Sequence, residues 1–412
     1  MKILASRRLC RLRRRAEGRS GIQLLPGIVL LAILAIGLFS SIYVLFFSDD
    51  RFSVGKVSWR AFAGGEMTSN LSEFLKNHIP FADGLVTADR VIGWLAVGDL
   101  GPRVREGCGG WLFLTDELEI HRDGDAAFKF RLEIISAVAR FLQQRGIALL
   151  IVPVPDKSRV EATQLCGIRR SPLLESRLEQ FTSQLQENKI KFVDIYRALA
   201  TLDGERYYHT DTHWNERGAR KAAEAIAASL QQLKLAPASK ESFRVTTEPP
   251  HERIGDLIHL AGLDHVPWPL RPRGDLEAPS RIAQTRLREV GPFDEIPPPE
   301  VVVIGTSFSR RANFTQFLSL LLGSPVANMA KDGGGLVTAA LAYFSNPAFT
   351  ETPPRVVIWE IPERILDDPI TPSEQKEAEK LGLPGIDMPA SGPRARSIET
   401  PRTSDSVAGG AP

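Results

Sequence analysis

A strong net charge is absent from this sequence. Its 412 residues include 51 Lys and Arg against 49 Asp and Glu, a formal net charge of +2 at pH 7. Residues 1–19 contain 8 Lys and Arg against one acid, a larger excess than the net charge of the whole chain, so the remainder is slightly acidic. Proteins that bind nucleic acid concentrate basic residues where they contact its phosphates. The charge balance therefore excludes nucleic acid as an expected partner.

Signatures of cofactor and metal sites are also missing. A nucleotide-binding glycine fingerprint follows a strand and opens a helix, whereas Gly109-Gly110 precedes its apolar run. Cysteine is scarce, and the spacing of Cys10, Cys108 and Cys166 excludes a zinc ribbon. We therefore expect no cofactor and no metal ion.

Charge is absent between Ser20 and Ser48, immediately after the arginine-rich residues 1–19. About 20 apolar residues span a bilayer, and flanking arginines favour the cytoplasmic side. A cleaved signal peptide is the alternative, but its apolar region is normally about 7 to 15 residues long. We predict a basic cytoplasmic segment at residues 1–23 and an uncleaved transmembrane anchor at 24–47 in the inner (plasma) membrane. The rest of the chain then lies outside the cytoplasm, in the periplasm.

This topology places Cys108 and Cys166 in an oxidising compartment and leaves Cys10 in the cytoplasm. A disulfide between Cys108 and Cys166 is compatible with that compartment. The sequence alone leaves the pairing open.

Helical and apolar strand-like segments alternate after the anchor. This pattern predicts a parallel sheet covered by helices on both faces. The predicted helices cover residues 126–145, 173–186, the segment after Asn215, 312–322 and 335–344, and the predicted strands cover 147–153, 190–194, 300–304, 326–329 and 355–360.

The remaining segments have less regular patterns. Residues 50–104 form a mixed juxtamembrane region with a helix start within 70–75. Residues 235–299 are irregular and proline-rich, so we interpret them as a loop or small insertion. Residues 370–412 lack apolar periodicity and are predicted to be a disordered tail. Residues 105–365 remain as the main domain.

A short block contains an acid and a base at close spacing. Asp211 and His213 are two residues apart, so in an extended segment both side chains lie on one face. A carboxylate there can orient the imidazole, as in a nucleophile–base–acid triad. Asn215 is a suitable N-cap for the helix that follows. The alternative is an Asp/His pair that only satisfies hydrogen bonds of a turn.

A candidate nucleophile follows the predicted strand 300–304. Ser307 in Gly305-Thr306-Ser307-Phe308-Ser309 lies at the carboxyl edge of the sheet, where open α/β folds bind ligands. Backbone N–H groups at the start of the next helix supply an oxyanion site. The alternative is an ordinary turn whose serine caps the helix.

The order of these blocks excludes one large enzyme class. All 7 histidines precede Ser307. An α/β-hydrolase has the order Ser, acid, His, and it has a glycine two residues after the nucleophile, where this chain has Ser309.

Six blocks occur in a fixed order within residues 105–365: Gly110-Trp111-Leu112-Phe113, Val152-Pro153-Val154-Pro155-Asp156-Lys157, Asp211-Thr212-His213-Trp214, Gly305-Thr306-Ser307-Phe308-Ser309, Gly333-Gly334-Gly335, and Trp359-Glu360-Ile361-Pro362-Glu363-Arg364. In these blocks, and in its N-terminal anchor, the chain resembles the SGNH-hydrolase-like family of alginate O-acetyltransferases. The resemblance implies a three-layer α/β/α sandwich with a parallel sheet, preceded by one transmembrane helix.

The resemblance also implies residue roles. Ser307 would be the nucleophile, His213 the base and Asp211 its orienter. The oxyanion and substrate-binding candidates are Thr306, Asn328, Gly333, Gly334, Lys157 and Arg364, and the last two have structural ion pairs as the alternative. A metal at His209 and His213 is not expected, because Asp211 lies between them and Asn215 begins a helix.

The function implied is an O-acetyltransferase that acetylates hydroxyls of an exopolysaccharide similar to alginate through an acyl-enzyme. Its implied partners are the polysaccharide acceptor and a multi-spanning membrane acyltransferase that supplies acetyl groups. A polysaccharide acetylesterase and a non-catalytic polysaccharide-binding scaffold remain as alternatives, because the acyl-enzyme chemistry is common to transferase and esterase.

Overall fold

A computed structural model describes residues 26–47, 64–79, 82–238, 241–285 and 298–383 of the chain. The chain divides into two units, Met1–Gly93 and Trp94–Pro412. The first contains the helices Pro26–Phe47 and Glu66–His78, and the helix Ala82–Val97 begins within it. The predicted helix start within 70–75 thus falls inside a longer helix. Residues 1–23 lie outside the described residues.

The helix Pro26–Phe47 has 22 residues and a mean hydropathy of 2.7. At 1.5 Å per residue its length is about 33 Å, which matches the hydrocarbon core of a bilayer. The described part of the chain therefore contains one N-terminal helix long and apolar enough to span a membrane.

The second unit is built on a parallel sheet of four strands, in the order β3 (Ala148–Val154), β10 (Val356–Pro362), β8 (Val301–Ile304) and β9 (Val326–Asn328). Val356 of β10 pairs with Ala148 of β3 on one side and with Val301 of β8 on the other. Strands β3 and β8 are unbroken apolar runs because both of their faces are covered. In chain order the strands are β1 Val104–Glu106, β2 Leu112–Leu114, β3 Ala148–Val154, β4 Phe243–Thr247, β5 His251–Arg253, β6 Asp275–Glu277, β7 Ser280–Gln284, β8 Val301–Ile304, β9 Val326–Asn328 and β10 Val356–Pro362.

Alternate residues of the sheet enter two separate hydrophobic clusters. Ile358 packs with the helices Glu216–Gln232 and Phe314–Leu322, whereas Trp359 packs with Gly124–Gln143, Arg177–Glu187 and Gly335–Phe344. The sheet is therefore the middle of three layers, as predicted. The remaining α-helices of this unit are Lys157–Val160, Pro172–Glu175, Ile195–Ala200, Asp256–Leu260, Pro347–Glu351 and Pro372–Leu381, and short 3-10 helices cover Thr115–Glu117, Ala162–Gln164, Ser307–Arg310 and Glu363–Leu366.

Two predicted elements differ in detail. The strand predicted at 190–194 forms a single parallel bridge, between Phe192 and Ile151. It ends early because Asp194 accepts a hydrogen bond from the backbone N–H of Arg197 and caps the next helix. The helix predicted at 173–186 is two helices, Pro172–Glu175 and Arg177–Glu187.

The proline-rich segment 235–299 contains more structure than the predicted loop, over its described residues 235–238, 241–285 and 298–299. Strand β4 pairs with β7 and β5 with β6, both antiparallel, and a short helix Asp256–Leu260 lies between them. The strands are mostly solvent-exposed, so they carry no buried apolar periodicity from which the sequence would predict them.

The prediction of disorder from residue 370 onward is wrong for residues 370–383. The helix Pro372–Leu381 is capped by Thr371 and buries Ala378. Its Glu374 accepts hydrogen bonds from the Arg131 guanidinium at 2.8 and 2.9 Å. The helix is otherwise polar and fully buries one residue, so it has little apolar periodicity. Residues 384–412 lie outside the described residues.

Cys108 and Cys166 form a disulfide. It ties the turn between β1 and β2 to the segment after the 3-10 helix Ala162–Gln164, where the Cys108 N–H also donates to the Gln164 carbonyl at 3.0 Å. Cys10 lies outside the described residues.

Candidate active site

The loop Tyr207–Trp214 folds back on itself before the helix Glu216–Gln232. Tyr207 and Trp214 form an antiparallel bridge, and Asn215 caps the helix by accepting from the Gly218 N–H at 3.0 Å. Trp214 is fully buried, and its ring lies 5.1 Å from that of Phe308. The aromatic contact fixes the loop against the turn that follows β8, so the two blocks predicted to carry chemistry meet there.

The structure brings Asp211, His213 and Ser307 into one hydrogen-bonded chain. The His213 Nδ1 atom lies 2.6 Å from Asp211 Oδ1, and Nε2 lies 2.7 Å from Ser307 Oγ. An ionised carboxylate only accepts, so Nδ1 carries the proton and Nε2 accepts the serine hydroxyl. This is the arrangement in which an imidazole can remove the hydroxyl proton of a nucleophile.

Asp211 is buried but remains an anion. Burial favours its protonated form, but hydrogen bonds from His213 and the charges of His213 and Arg253 hold the pKa of Asp211 well below its ordinary value. Its Oδ2 atom accepts from the Arg253 guanidinium at 2.8 Å and from the Asp256 N–H at 3.2 Å.

Arg253 and Asp256 are site residues that the sequence interpretation missed. The Asp256 carboxylate accepts from the Thr212 N–H at 2.7 Å and lies 3.5 Å from His213 Nδ1. Gly255 permits this approach, because an added Cβ would lie 2.0 Å from the Thr210 carbonyl oxygen. Gly-Asp before an apolar run is a helix-start signal, but it does not reveal what the helix contacts.

Asp211, His213 and Asp256 also have the spacing of a metal site. Their ligand atoms lie within 4.8 Å of one another. The Nδ1 atom of His213 is already bonded to Asp211, and the second Asp211 oxygen to Arg253. These hydrogen bonds account for the cluster without a metal ion. The imidazole of His209 points elsewhere, with Nε2 at 2.9 Å from Glu205.

The turn that carries Ser307 is held by Glu360, near the carboxyl end of β10. The Glu360 carboxylate accepts from the Thr306 N–H at 2.7 Å, from the Thr306 hydroxyl at 3.0 Å and from the Ser309 hydroxyl at 3.0 Å. Gly305 has φ +148°, and a Cβ there would lie 2.6 Å from the Glu360 carbonyl oxygen. Both donors of Thr306 are used, so the prediction that Thr306 binds oxyanion or substrate is corrected to a structural role.

The segment that follows β9 runs beside this turn. The Lys331 N–H donates to the Gly305 carbonyl at 3.0 Å. Asn328, predicted as an oxyanion donor, instead gives its amide hydrogens to the Ser309 carbonyl at 2.8 Å and the Thr315 hydroxyl at 2.9 Å. Its amide is therefore a brace and not a donor to substrate.

The two candidate glycines differ in their backbone N–H groups. The Gly334 N–H donates to the Lys331 carbonyl at 3.1 Å, so it supplies no donor to an oxyanion. Gly333 has a positive φ of +63° and open space around it. Among the hydrogen bonds of the described residues, none uses the Ser307 N–H or the Gly333 N–H.

Lys157 is a structural residue and not a sugar ligand. Its ammonium is buried and donates to the carbonyls of Leu112, His209 and Asp211 at 2.5, 2.8 and 3.0 Å. An ammonium has three donors, so none is left for substrate. Burial lowers the pKa of Lys157 to about 8, against the raising effect of acids that include Glu117. The predicted alternative of an ion pair is also corrected, because the partners are backbone carbonyls.

Arg364 differs from Lys157, because no hydrogen bond among the described residues uses its guanidinium. Its side chain is 15% exposed, and a Glu117 carboxylate oxygen lies 3.6 Å from one guanidinium nitrogen. The guanidinium carbon lies 5.3 Å from the centroid of the Phe308 ring, which in turn lies 4.7 Å from the His213 ring. A cation with unused donors is thus placed one aromatic ring away from the candidate base.

A parallel sheet whose carboxyl edge carries an Asp-His-Ser hydrogen-bonded chain defines a class of protein: an α/β domain with the side-chain arrangement of a triad hydrolase or acyltransferase. The family described as "SGNH hydrolase-like domain, acetyltransferase AlgX" matches residues 104–363. The match covers more than half of the chain, so the chain belongs to this family and is an O-acetyltransferase. The predicted family, fold class and enzyme class are thereby confirmed.

Individual relatives agree with this assignment. The chain is 31% identical to "Probable alginate O-acetylase AlgJ" of Pseudomonas putida over 279 residues, 64% of this chain and 70% of the relative. It is 28% identical to the protein of the same name in Pseudomonas aeruginosa over 285 residues, 64% of this chain and 71% of the relative. A solved structure, "O-Acetyltransferase Domain of Pseudomonas putida AlgJ", has a TM-score of 0.59 and 28% identity, covering 68% of this chain and all of that one.

Proposed function

We propose that this protein acetylates hydroxyl groups of an exported polysaccharide of the alginate class, with Ser307 as nucleophile, His213 as base and Asp211 as the residue that orients the base. The observation that carries the proposal is the continuous chain from Asp211 Oδ1 to Ser307 Oγ, with links of 2.6 and 2.7 Å. The curated relatives are named as probable alginate O-acetylases, which supports the choice of polymer.

The proposed mechanism has two half-reactions. In the first, His213 Nε2 takes the hydroxyl proton of Ser307 while Oγ bonds to the acetyl carbonyl carbon of the donor. The bond to the leaving group then breaks, and that group takes the proton from the imidazolium. In the second, His213 takes a proton from a sugar hydroxyl whose oxygen attacks the acetyl group. The Ser307 oxygen leaves and regains the proton.

The negative charge on the carbonyl oxygen requires preorganised donors. We assign this role to the backbone N–H groups of Ser307 and Gly333. Arg364 is assigned to a carboxylate of the acceptor sugar, because a partly buried guanidinium near the base is suited to bidentate carboxylate binding.

The domain arrangement is part of the proposal. Residues 105–365 form the catalytic domain in the periplasm, residues 24–47 anchor it in the inner membrane, and residues 50–104 connect the two. An extracytoplasmic enzyme has no local pool of a cytoplasmic donor, so a multi-spanning membrane acyltransferase supplies the acetyl group. The anchor raises the local concentration of one partner near the other. If a soluble, exported form lacking residues 1–49 acetylated the polymer normally in cells without that partner, the relay would be refuted.

A mass measurement tests the chemistry. The full chain, purified in detergent, is incubated with an activated acetyl ester and digested, and the peptide carrying Ser307 is expected to gain one acetyl group. Addition of an alginate oligosaccharide is expected to move that group to the sugar, whereas release of free acetate alone indicates an esterase. Ser307→Ala abolishes labelling, and Ser183→Ala, an exposed serine on another helix, is the matched control. Labelling that persists in Ser307→Ala refutes the proposal.

A further inference from the structure

Arg253 belongs to the segment 235–299, which the sequence analysis interpreted as a loop or small insertion. It ends β5, where it pairs with Asp275 of β6. Asp275 in turn accepts hydrogen bonds from the backbone N–H groups of His209 and Thr210, at 2.6 and 3.0 Å. The end of the β5–β6 ribbon is therefore attached directly to the loop that carries Asp211.

The guanidinium of Arg253 is held on three sides. One nitrogen donates to Asp211 Oδ2 at 2.8 Å, and Nε lies 3.3 Å from a Glu277 carboxylate oxygen. The guanidinium carbon lies 4.4 Å from the centroid of the Tyr208 ring. The side chain is 21% exposed. Contacts on both of its ends and on one face leave it little freedom to swing away from Asp211.

The charged groups around Asp211 show what the Arg253–Asp211 contact does. Besides His213, the groups facing the acid are the Asp256 carboxylate, which lies 3.5 Å from the same ring nitrogen, and the Lys157 ammonium, bonded to the Asp211 carbonyl. All three donors of Lys157 are bonded to backbone carbonyls. Arg253 is the cation bonded to the Asp211 carboxylate itself, and it opposes the repulsion between Asp211 and Asp256.

Both Asp211 oxygens have separate tasks. Oδ1 accepts from the backbone N–H of His213 at 2.9 Å and from its ring, whereas Oδ2 is bonded to Arg253. We propose that Arg253 is a positioning residue for the acyl transfer: by binding Oδ2 it keeps Asp211 rather than Asp256 aligned with His213 Nδ1. This inference rests on the proposed function, and it assigns the β5–β6 ribbon a role in it.

Three variants separate positioning from simple anchoring of the ribbon. Arg253→Met removes the charge, Arg253→Lys keeps it, and Glu277→Gln weakens the outer anchor of the guanidinium without touching Asp211. Hydrolysis or transfer of an activated acetyl ester by the full chain is measured as kcat/KM against pH, and thermal unfolding checks that each variant is folded.

Arg253→Met is expected to lower kcat/KM at neutral pH at least tenfold. It is also expected to move the low-pH limb of the kcat/KM profile upward by roughly one pH unit, because the Asp211 carboxylate binds a proton more readily without the neighbouring cation. Arg253→Lys is expected to show a low-pH limb much closer to that of the parent, because the positive charge is kept. Glu277→Gln keeps the limb of the parent.

A double-variant comparison tests whether Arg253 acts through Asp211. In an Asp211→Asn background, Arg253→Met is expected to lower kcat/KM by a much smaller factor than it does in the parent. The effects of substitutions at residues that act as a unit are not additive. The inference is overturned if Arg253→Met lowers kcat/KM by the same factor in both backgrounds. It is also overturned if the Arg253→Met protein is folded and the low-pH limb of its kcat/KM profile does not shift. The proposed function stands in that case as long as Ser307→Ala is inactive, and it fails separately if Ser307→Ala retains activity.

Discussion

The carboxylate of Glu360 accepts two hydrogen bonds from Thr306, one from the backbone N–H at 2.7 Å and one from the hydroxyl at 3.0 Å. The contact joins the ends of two neighbouring parallel strands, β10 and β8. Glu360 is fully buried, and burial raises its pKa even though hydrogen bonds from Thr306 and Ser309 oppose the shift. A buried acid thus fixes the residue before Ser307.

Replacing Glu360 is expected to loosen this turn. Glu360→Ala leaves buried donors unpaired, so we expect a loss of about 3 kcal/mol in the free energy of unfolding and a fall in kcat. Glu360→Gln keeps one acceptor oxygen, so we expect smaller losses in the free energy of unfolding and in kcat than for Glu360→Ala. Chemical denaturation and ester turnover measure the two effects. The control is Glu300→Ala, because Glu300 lies at the opposite end of β8 and its side chain is 42% exposed. Unchanged stability in Glu360→Ala contradicts this account.

Asp211→Asn is expected to lower the turnover of an activated acetyl ester by about 10³ to 10⁴-fold, because the amide no longer fixes the tautomer of His213. The chain is expected to remain folded, since the acid is not part of either hydrophobic cluster. A variant with the activity of the parent would remove Asp211 from the triad.

The same substitution has a consequence for stability against pH. A carboxyl group whose pKa falls on folding stabilises the folded state above its ordinary pKa of 3.8, and this contribution disappears as the pH drops further. The stability difference between parent and Asp211→Asn is therefore expected to narrow as the pH falls below that value. Denaturation curves at neutral pH and at acid pH make the comparison, and a gap that widens in acid argues against a lowered pKa.

Arg364→Gln is expected to affect the acceptor more than the acetyl donor. Loss of one guanidinium–carboxylate contact raises the KM for a uronate oligosaccharide by roughly tenfold, about 1.4 kcal/mol. Formation of the acetyl-enzyme from a neutral ester is expected to stay close to that of the parent. Arg220→Gln, an exposed arginine on the helix Glu216–Gln232, is the matched control. Equal KM values for parent and Arg364→Gln would exclude Arg364 from acceptor binding.

Removal of the disulfide is expected to lower stability without changing the chemistry. Cys108 and Cys166 are 58 residues apart in sequence, and closing a loop of that size contributes about 4 kcal/mol by the chain-entropy estimate. The double variant Cys108→Ser with Cys166→Ser is compared with Cys10→Ser by denaturation under non-reducing conditions. If thiol labelling of the unfolded parent finds Cys108 and Cys166 free, the bond is absent in the exported protein.

The layered fold was predictable because local patterns report it directly. Strands covered on both faces must be apolar throughout, and helices on a sheet must repeat apolar residues at helical spacing. These patterns located β3, β8, β9 and β10 to within two residues. The patterns failed for the ribbons within 235–299, whose exposed strands have no buried face, and for the helix Pro372–Leu381, in which Ala378 is the buried residue.

The sequence by itself determined the chemistry available to this protein: an acid two residues before a histidine, a serine on a turn after a buried strand, and an apolar segment of membrane-spanning length. Spacing of this kind acts over a few residues, so it can be read without knowing the fold. Only the tertiary structure decided which side chains support that chemistry. Arg253 is 42 residues from Asp211 and Glu360 is 54 residues from Thr306. Such partners meet because strand order and loop packing bring distant segments together, and no local pattern encodes that meeting.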